Sequence, residues 1–203
     1  MSELFQHITA PNGRKHLFLP VFLFSLIAGH SLTPGAQASD NGYRIEISKS
    51  ARQLRVILGN QTIRSYRIAY GKGTDGSKRR FGDNKTPAGI YKIMDFRPDS
   101  KFHYFMLINY PNLLDAWHGY RDKTITPGEF KQIASAYHYN HMPPQNTALG
   151  GYIGIHGIGE VTGKKIKIHE RYNWTEGCVA LRNEEINELR NYVSIGTRVT
   201  ITE

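Results

Sequence analysis

The stretch Tyr43-Arg44-Ile45-Glu46-Ile47-Ser48 alternates apolar with polar side chains, and this period of two is typical of a β-strand with one buried face. An apolar run at 54–58 ends at the tight-turn signal Gly59-Asn60, and a β-branched and aromatic run follows at 62–70. Together they predict a strand followed by a hairpin. Further strands are indicated at 90–94, 150–155 and 197–202. The chain is therefore predicted to be mainly β, with roughly six to eight short strands.

Helical spacing is confined to a few places. Residues 111–149 contain four Pro, five aromatic residues and three His, and only Glu129–Tyr139 within them has helical spacing. We expect this stretch to be an inserted segment over the sheet, either a functional lid or a surface excursion. A polar loop is predicted over Glu160–Arg171, and a helix with Asn183 as its N-cap is predicted after it. One or two short helices are expected.

The composition is that of a globular protein with a basic surface. The 203 residues include 39% hydrophobic side chains and carry a formal net charge of +9. That balance suits an acidic partner, but the basic residues are dispersed and no nucleic-acid motif is present, so no nucleic-acid partner is expected. Cys178 is the only cysteine, which excludes an internal disulfide and any zinc site that needs two cysteines.

Three histidines suggest a metal site. His138 and His141 are three residues apart, and His118 precedes them in the same segment. Asn140 and Pro143-Pro144 break any helix that would present the pair on one face, and no matched third ligand is evident. We therefore expect no metal and assign these side chains to packing or substrate contact.

The first 38 residues have the three parts of a secretory signal peptide. Arg14-Lys15 is basic, residues 17–28 are mostly apolar, and Ala36-Gln37-Ala38 offers a small-x-small cleavage site. The alternative is a retained membrane anchor, although this apolar stretch is short against the roughly 20 residues that span a bilayer. We expect residues 1–38 to be a signal peptide and residues 39–203 to be one domain exported to the periplasm or cell envelope. No stable membrane insertion is expected after cleavage.

Cys178 and His156 are the residues that could carry chemistry. Cys178 follows Gly177 and precedes an apolar run, which places the thiol at the edge of a core. His156 ends an apolar strand and is followed by Gly157, so it can face a cleft. A cysteine nucleophile needs such an imidazole to take its proton, and the N-terminus of the helix expected at Asn183 would lower the thiol pKa. The alternative is a buried, inert cysteine beside a hydrogen-bonded core histidine.

In its motifs the chain resembles the L,D-transpeptidase catalytic domain family, often called the YkuD domain. The family carries Ile-His-Gly, then Ser/Thr-x-Gly-Cys with an Asn five positions after the cysteine. Upstream it has a Thr-Pro-x-Gly turn and a Lys-Ser/Ala-x-x-Leu turn. The matching residues are Ile155-His156-Gly157, Thr175-Glu176-Gly177-Cys178, Asn183, Thr86-Pro87-Ala88-Gly89 and Lys49-Ser50-Ala51-Arg52-Gln53-Leu54. Asn109-Tyr110-Pro111-Asn112 and Gly150-Gly151 resemble the branch with an inserted segment before the histidine.

The resemblance implies a single β-sandwich domain and a covalent mechanism. The thiolate of Cys178 would attack the carbonyl after the meso-diaminopimelate of a peptidoglycan stem tetrapeptide, D-alanine would leave, and a thioester would remain. His156 would be general base and acid, and the carbonyl of Gly157 would orient its ring. The amides of Gly177 and Cys178 would form the oxyanion hole. The resemblance implies neither a metal nor an organic cofactor.

The chain departs from the family pattern in three places. Glu176 stands where many members have His or Lys, so it either opposes thiolate formation or holds a substrate ammonium. Arg182 lies four positions after the cysteine instead of two. The loop before the cysteine is longer, and its lysine-rich part, 163–167, is either a site for anionic groups or a solvated loop. Candidate substrate contacts are Thr175, Glu176, Arg182, Tyr152 and Trp174.

The resemblance leaves the acceptor open. The expected function is cross-linking of stem peptides or attachment of a wall-anchored protein to peptidoglycan. The alternative is a carboxypeptidase or amidase that releases peptide or protein with the same site, and the inserted-segment branch resembles members implicated in release. A non-catalytic wall-binding module and an exported thiol redox protein are weaker alternatives, and the second lacks a Cys-x-x-Cys pair.

Overall fold

The computed structural model describes residues 42–203, so the predicted signal peptide lies outside the described residues. The strands are β1 (Tyr43–Ser48), β2 (Gln53–Leu58), β3 (Gln61–Arg67), β4 (Gly89–Ser100), β5 (His103–Ile108), β6 (Gly154–His156), β7 (Val179–Ala180) and β8 (Arg198–Thr202). The helices are α1 (Leu113–Arg121), α2 (Pro127–His138), α3 (Gly163–Arg171) and α4 (Asn183–Leu189). The mainly β fold predicted from the sequence is confirmed.

The eight strands form one mixed sheet in the order β3-β2-β1-β8-β4-β5-β6-β7. The alternation in β1 sets its orientation, because Ile45 and Ile47 are buried whereas Arg44 and Glu46 stay partly exposed. β1 pairs antiparallel with β2 and parallel with β8, so the opening hairpin predicted from the sequence is extended by the closing strand.

β4 joins the two halves of the sheet. Its first residues, 89–92, pair with β8, and from Ile93 onward the strand pairs with β5, with a register shift between Ile93 and Asp95. Two backbone hydrogen bonds between Ala69 and Ala180, of 3.1 and 2.7 Å, connect the chain after β3 to β7. Because the two ends of the strand order meet in this way, both halves share one apolar core. That core includes Ile45, Leu54, Ile68, Tyr91, Met106, Ile155, Val179, Leu189 and Val199.

The 111–149 segment contains two helices where the sequence predicted one. Asn112 and Thr126 cap α1 and α2 with complete capping boxes, and a small separate core of Ala116, Ile125, Ile133 and Leu149 holds the helices together. The α1 helix was missed because it buries only small side chains such as Ala116, while the large Leu114 and Trp117 are exposed. Its sequence therefore lacks a regular apolar stripe.

The loop predicted over 160–171 is wrong, because 163–171 form helix α3. The predicted loop was based on its polar composition, but the helix is fixed by contacts distant in sequence. The guanidinium of Arg52 donates to the carbonyls of four residues at its C-terminal end: His169, Glu170, Arg171 and Tyr172. Positive charge at a helix C-terminus is favourable, and these bonds satisfy carbonyls that the helix itself leaves free.

The helix predicted after Cys178 is present as α4, but Asn183 is not its N-cap. Arg182 occupies the cap position. The side-chain amide of Asn183 instead accepts from the Gly159 N–H at 3.2 Å and donates to the Gly159 carbonyl at 2.8 Å. Asn183 therefore holds the turn that follows β6. With α1 and α3 added, residues 42–203 contain four helices, not the one or two expected.

Over residues 42–203, none of the helices has the length and apolar character needed to cross a lipid bilayer.

Candidate active site

A cleft of about 710 Å³ contains both residues singled out for chemistry, His156 and Cys178. Four of the five candidate substrate contacts also line it: Tyr152, Trp174, Thr175 and Glu176. Sequence reasoning missed several other lining residues, which come from the loop before β4 and from the β4–β5 hairpin. These are Lys78, Phe81, Asn84, Arg97, Lys101, Phe102 and Phe105.

Parallel pairing of β6 with β7 brings the two predicted catalytic residues together. His156 stands opposite Ala180 and Ile155 opposite Val179 in this register. Cys178 immediately precedes β7, so this register sets it opposite Gly154, two residues before His156. Side chains two residues apart along a strand share a face, so Cys178 and His156 lie on the same face of the β6–β7 pair. The 21 residues between the histidine and the cysteine form helix α3 and the flanking loops.

The imidazole of His156 has a defined tautomer. Its Nδ1 lies 2.6 Å from the Gly157 carbonyl oxygen. A carbonyl can only accept, so Nδ1 carries the proton and the Nε2 lone pair is available as a base. The contact expected between His156 and Gly157 is therefore present.

Aromatic rings enclose His156 and keep it neutral. Its ring stacks on Phe102 at a centroid distance of 4.2 Å and lies 5.8 Å from Phe105, and Trp174 meets it edge-on. The side chain is only 1% exposed. This burial disfavours the charged form and lowers the pKa of His156 to about 4.

Cys178 is half-buried, and its thiol is also neutral. Burial of the sulfur raises the pKa of Cys178 to about 11, although the Gly154 N–H and the Lys78 ammonium favour the thiolate. Glu176 opposes the thiolate, as its charge predicted. The net shift of the Cys178 pKa is upward because burial dominates, and a lowering by the N-terminus of α4 stays a prediction. The site therefore holds an uncharged thiol and an uncharged imidazole, and the proton must move when the sulfur attacks.

A tight turn presents the cysteine. The Thr175 hydroxyl donates to the Cys178 carbonyl at 2.6 Å and accepts from the Gly177 N–H at 3.3 Å. Gly177 has φ +136°, and a Cβ at this position would lie 2.8 Å from the Lys85 carbonyl oxygen. Only glycine fits this turn. The Gly177 N–H expected in the oxyanion hole is thus already engaged by Thr175.

A buried ion pair supports the loop that forms the opposite wall. Lys78 lies 2.8 Å from Asp83, and both side chains are less than a tenth exposed. Asp83 also accepts from the N–H groups of Arg79, Arg80 and Lys85. Composition alone indicates a glycine-rich, basic loop at 71–85, and the pairing of Lys78 with Asp83 is seen only in the folded chain.

Arg182, the fifth candidate substrate contact, is not among the residues that line the cleft. Its guanidinium pairs with Glu170 on α3. The histidines considered for zinc lie in the 111–149 segment, where His118 meets Trp117 and His138 meets Tyr139 edge-on. Among residues 42–203 there is no group of three His, Cys, Asp or Glu side chains that could hold a metal ion.

Known proteins share both the sequence pattern and the fold. Residues 42–201 match the family described as the L,D-transpeptidase catalytic domain, YkuD. YafK of Escherichia coli K12, described as a candidate L,D-transpeptidase, is 38% identical over 85 residues, which cover 39% of this chain and 35% of YafK. The chain thus spans about a third of the length of this curated relative.

Two solved structures have the same fold. Bd1075 of Bdellovibrio bacteriovorus is 25% identical with a TM-score of 0.50, over 79% of this chain and 48% of that chain. Pgp2 of Campylobacter jejuni, described as a helical cell shape determining protein, is 23% identical with a TM-score of 0.51. That alignment covers 82% of this chain and 49% of Pgp2.

Proposed function

Because the chain belongs to the YkuD family of L,D-transpeptidase catalytic domains, we propose that it is an exported cysteine acyltransferase acting on peptidoglycan stem peptides. The observation that carries the proposal is that the parallel register of β6 and β7 brings His156 and Cys178 to the lining of one cleft. The Gly157 carbonyl fixes the histidine tautomer that leaves Nε2 free to act as a base. Cell-wall cross-linking or attachment of a protein to the wall follows as the proposed role.

The first half-reaction forms a thioester. His156 Nε2 takes the thiol proton, and Cys178 Sγ attacks the carbonyl carbon of the diaminopimelate residue that precedes the terminal D-alanine. The tetrahedral intermediate collapses, the amide C–N bond breaks, and the imidazolium gives its proton to the departing amine. D-Alanine leaves and the acyl group stays on sulfur, so the protons balance without any cofactor.

The second half-reaction transfers the acyl group. An acceptor amine loses a proton to His156 Nε2 and attacks the thioester carbonyl. The C–S bond then breaks, and the sulfur recovers the proton as a thiol. A burial-raised thiol pKa favours this return to the protonated state. Water in place of the amine gives hydrolysis by the same steps, which makes carboxypeptidase or amidase activity the alternative outcome of one intermediate.

Product analysis tests the proposal. The purified protein is incubated with disaccharide-tetrapeptide muropeptides, and Cys178→Ala and His156→Ala are run beside it. His138→Ala is the control, because His138 is exposed on α2 and lies outside the cleft. Dimers with a new cross-link show a transpeptidase, and free tripeptide shows a carboxypeptidase. In either case, the proposal predicts that Cys178→Ala and His156→Ala form no product. Turnover that survives Cys178→Ala would contradict the proposal.

A further inference from the structure

The 111–149 segment contacts the cleft through the side-chain amide of Gln145. Its Nε2 donates to the Tyr110 carbonyl at 2.8 Å and to the Pro143 carbonyl at 2.9 Å. Its Oε1 accepts from the Tyr152 N–H at 2.6 Å. Carbonyls only accept and an N–H only donates, so these three partners determine which end of the Gln145 amide is nitrogen and which is oxygen. The orientation of Gln145 is thus set by Pro143 of its own segment and by Tyr110 just before it. Its acceptor is aimed at the loop that precedes β6 and lines the cleft.

Tyr152 has a strained backbone at this contact. Its φ is +55°, in the left-handed region that an aromatic residue rarely adopts. Such strain persists only where neighbouring structure holds it. The Gln145 side chain holds the Tyr152 N–H, and Gly151 packs so closely that a Cβ there would lie 2.3 Å from the Gln145 carbonyl oxygen.

The carbonyl of the same residue faces the nucleophile. Cys178 Sγ donates to the Tyr152 carbonyl oxygen at 3.5 Å. A carbonyl oxygen beside the sulfur supports the thiol and opposes the thiolate, whereas the Gly154 N–H two residues later favours the thiolate. The peptide orientation of Tyr152 therefore decides where the S–H points and what the sulfur meets when it loses its proton.

We propose that Gln145 is a positioning residue that sets the conformation of the Cys178 thiol through the backbone of Tyr152, and that this is the contribution of the 111–149 segment to catalysis. The segment needs no lid movement to do this. With Gln145 removed, the Tyr152 N–H loses its acceptor and φ relaxes to negative values. The Tyr152 carbonyl then turns away from the sulfur. The inference concerns the cysteine itself, and its link to turnover rests on the proposed acyl-enzyme.

Two substitutions separate the roles of the amide. Gln145→Met keeps the length and removes every hydrogen bond, while Gln145→Glu keeps an acceptor for the Tyr152 N–H and loses the donors to Tyr110 and Pro143. Gln132→Met is the matched control, because Gln132 is exposed on α2. Each variant is first shown to be folded by its cooperative thermal unfolding. If Gln145→Met fails to fold, Gln145→Glu carries the test.

The readout is the pH profile of Cys178 alkylation by iodoacetamide, which requires no peptidoglycan. We expect the alkaline midpoint to move to lower pH in Gln145→Met, because the thiolate no longer faces a carbonyl oxygen. We expect a smaller shift in Gln145→Glu and none in Gln132→Met. Acylation by tetrapeptide should fall about tenfold to a hundredfold in Gln145→Met, the cost of a misplaced nucleophile.

The two proposals fail separately. An alkylation profile of folded Gln145→Met or Gln145→Glu that matches the parent protein overturns the positioning role, whatever the peptide assay gives. A shifted profile in a protein whose parent form never acylates supports the positioning role and removes the proposed function.

Discussion

At the scale of single residues, the proposed reaction depends on the uncharged state of His156 and Cys178. His156 loses its base character only when it is protonated, and burial lowers its pKa to about 4, below the ordinary value near 6.5. The acid side of the kcat/KM profile reports this ionisation in the free enzyme. We therefore expect activity to fall only as the pH drops through about 4.

Phe102 provides a direct check, because its ring covers the imidazole at 4.2 Å. Phe102→Ala admits water to His156, stabilises the imidazolium and raises the pKa toward the ordinary value. The acid side of the kcat/KM profile should move to higher pH by as much as about two units. A profile that already falls near pH 6.5 in the parent protein, or one that does not move in Phe102→Ala, would show that burial does not control the base.

At the scale of elements, α3 depends on a contact made more than 100 residues away in sequence. Arg52→Met removes the Arg52 hydrogen bonds to four carbonyls at the end of this helix, and among residues 42–203 only the carbonyl of Glu170 keeps a second donor, Arg67. Hydrogen bonds to a charged group contribute about 1.5–3 kcal/mol, and Arg52 is partly exposed, so we expect a loss of about 1–2 kcal/mol in the free energy of unfolding. Hydrogen exchange should quicken in 163–171.

Arg55→Met is the matched control for this change. Arg55 is an exposed arginine in β2, and within residues 42–203 its guanidinium pairs with Glu46. Arg55→Met should lower the free energy of unfolding by less than about 1 kcal/mol and leave hydrogen exchange in 163–171 unchanged. If the two variants behave alike, Arg52 does not anchor the helix.

The elements that could be predicted are those whose signal is local. The alternation over 43–48 indicates β1, and the motif residues around His156 and Cys178 predict the pair proposed here as catalytic. By contrast, the sequence of α3 is typical of a polar loop, because its anchor, Arg52, is remote in sequence. Gln145 and Phe102 could not be predicted for the same reason, since their proposed roles depend on contacts with groups that no local sequence pattern indicates.

At the scale of the whole molecule, two buried imidazoles set the acid limit of stability. Burial lowers the pKa of both His156 and His169 to about 4. In the unfolded chain both titrate near 6.5, so the unfolded state binds more protons between these values. The free energy of unfolding should therefore fall as the pH drops from about 6.5 to about 4.

Asp115 has the opposite effect on the free energy of unfolding. Burial raises its pKa to about 6, so on acidification the folded state binds this proton at a higher pH than the unfolded state does. The pKa shifts of the two histidines together exceed that of Asp115, so the free energy of unfolding still falls on acidification. Thermal unfolding midpoints measured between pH 7 and pH 4 should decline steadily on acidification. A midpoint that is flat or rises over this range would mean that the imidazoles are not held neutral by the fold.

In the proposed reaction, Cys178 carries the acyl group. Intact-protein mass spectrometry after mixing the protein with tetrapeptide donor, with Cys178→Ala beside it, detects this intermediate. We expect a mass increase equal to the donor minus D-alanine, located on Cys178 and absent from the variant. Release of D-alanine with no adduct on Cys178 under rapid quenching, or an adduct that persists in Cys178→Ala, would contradict it.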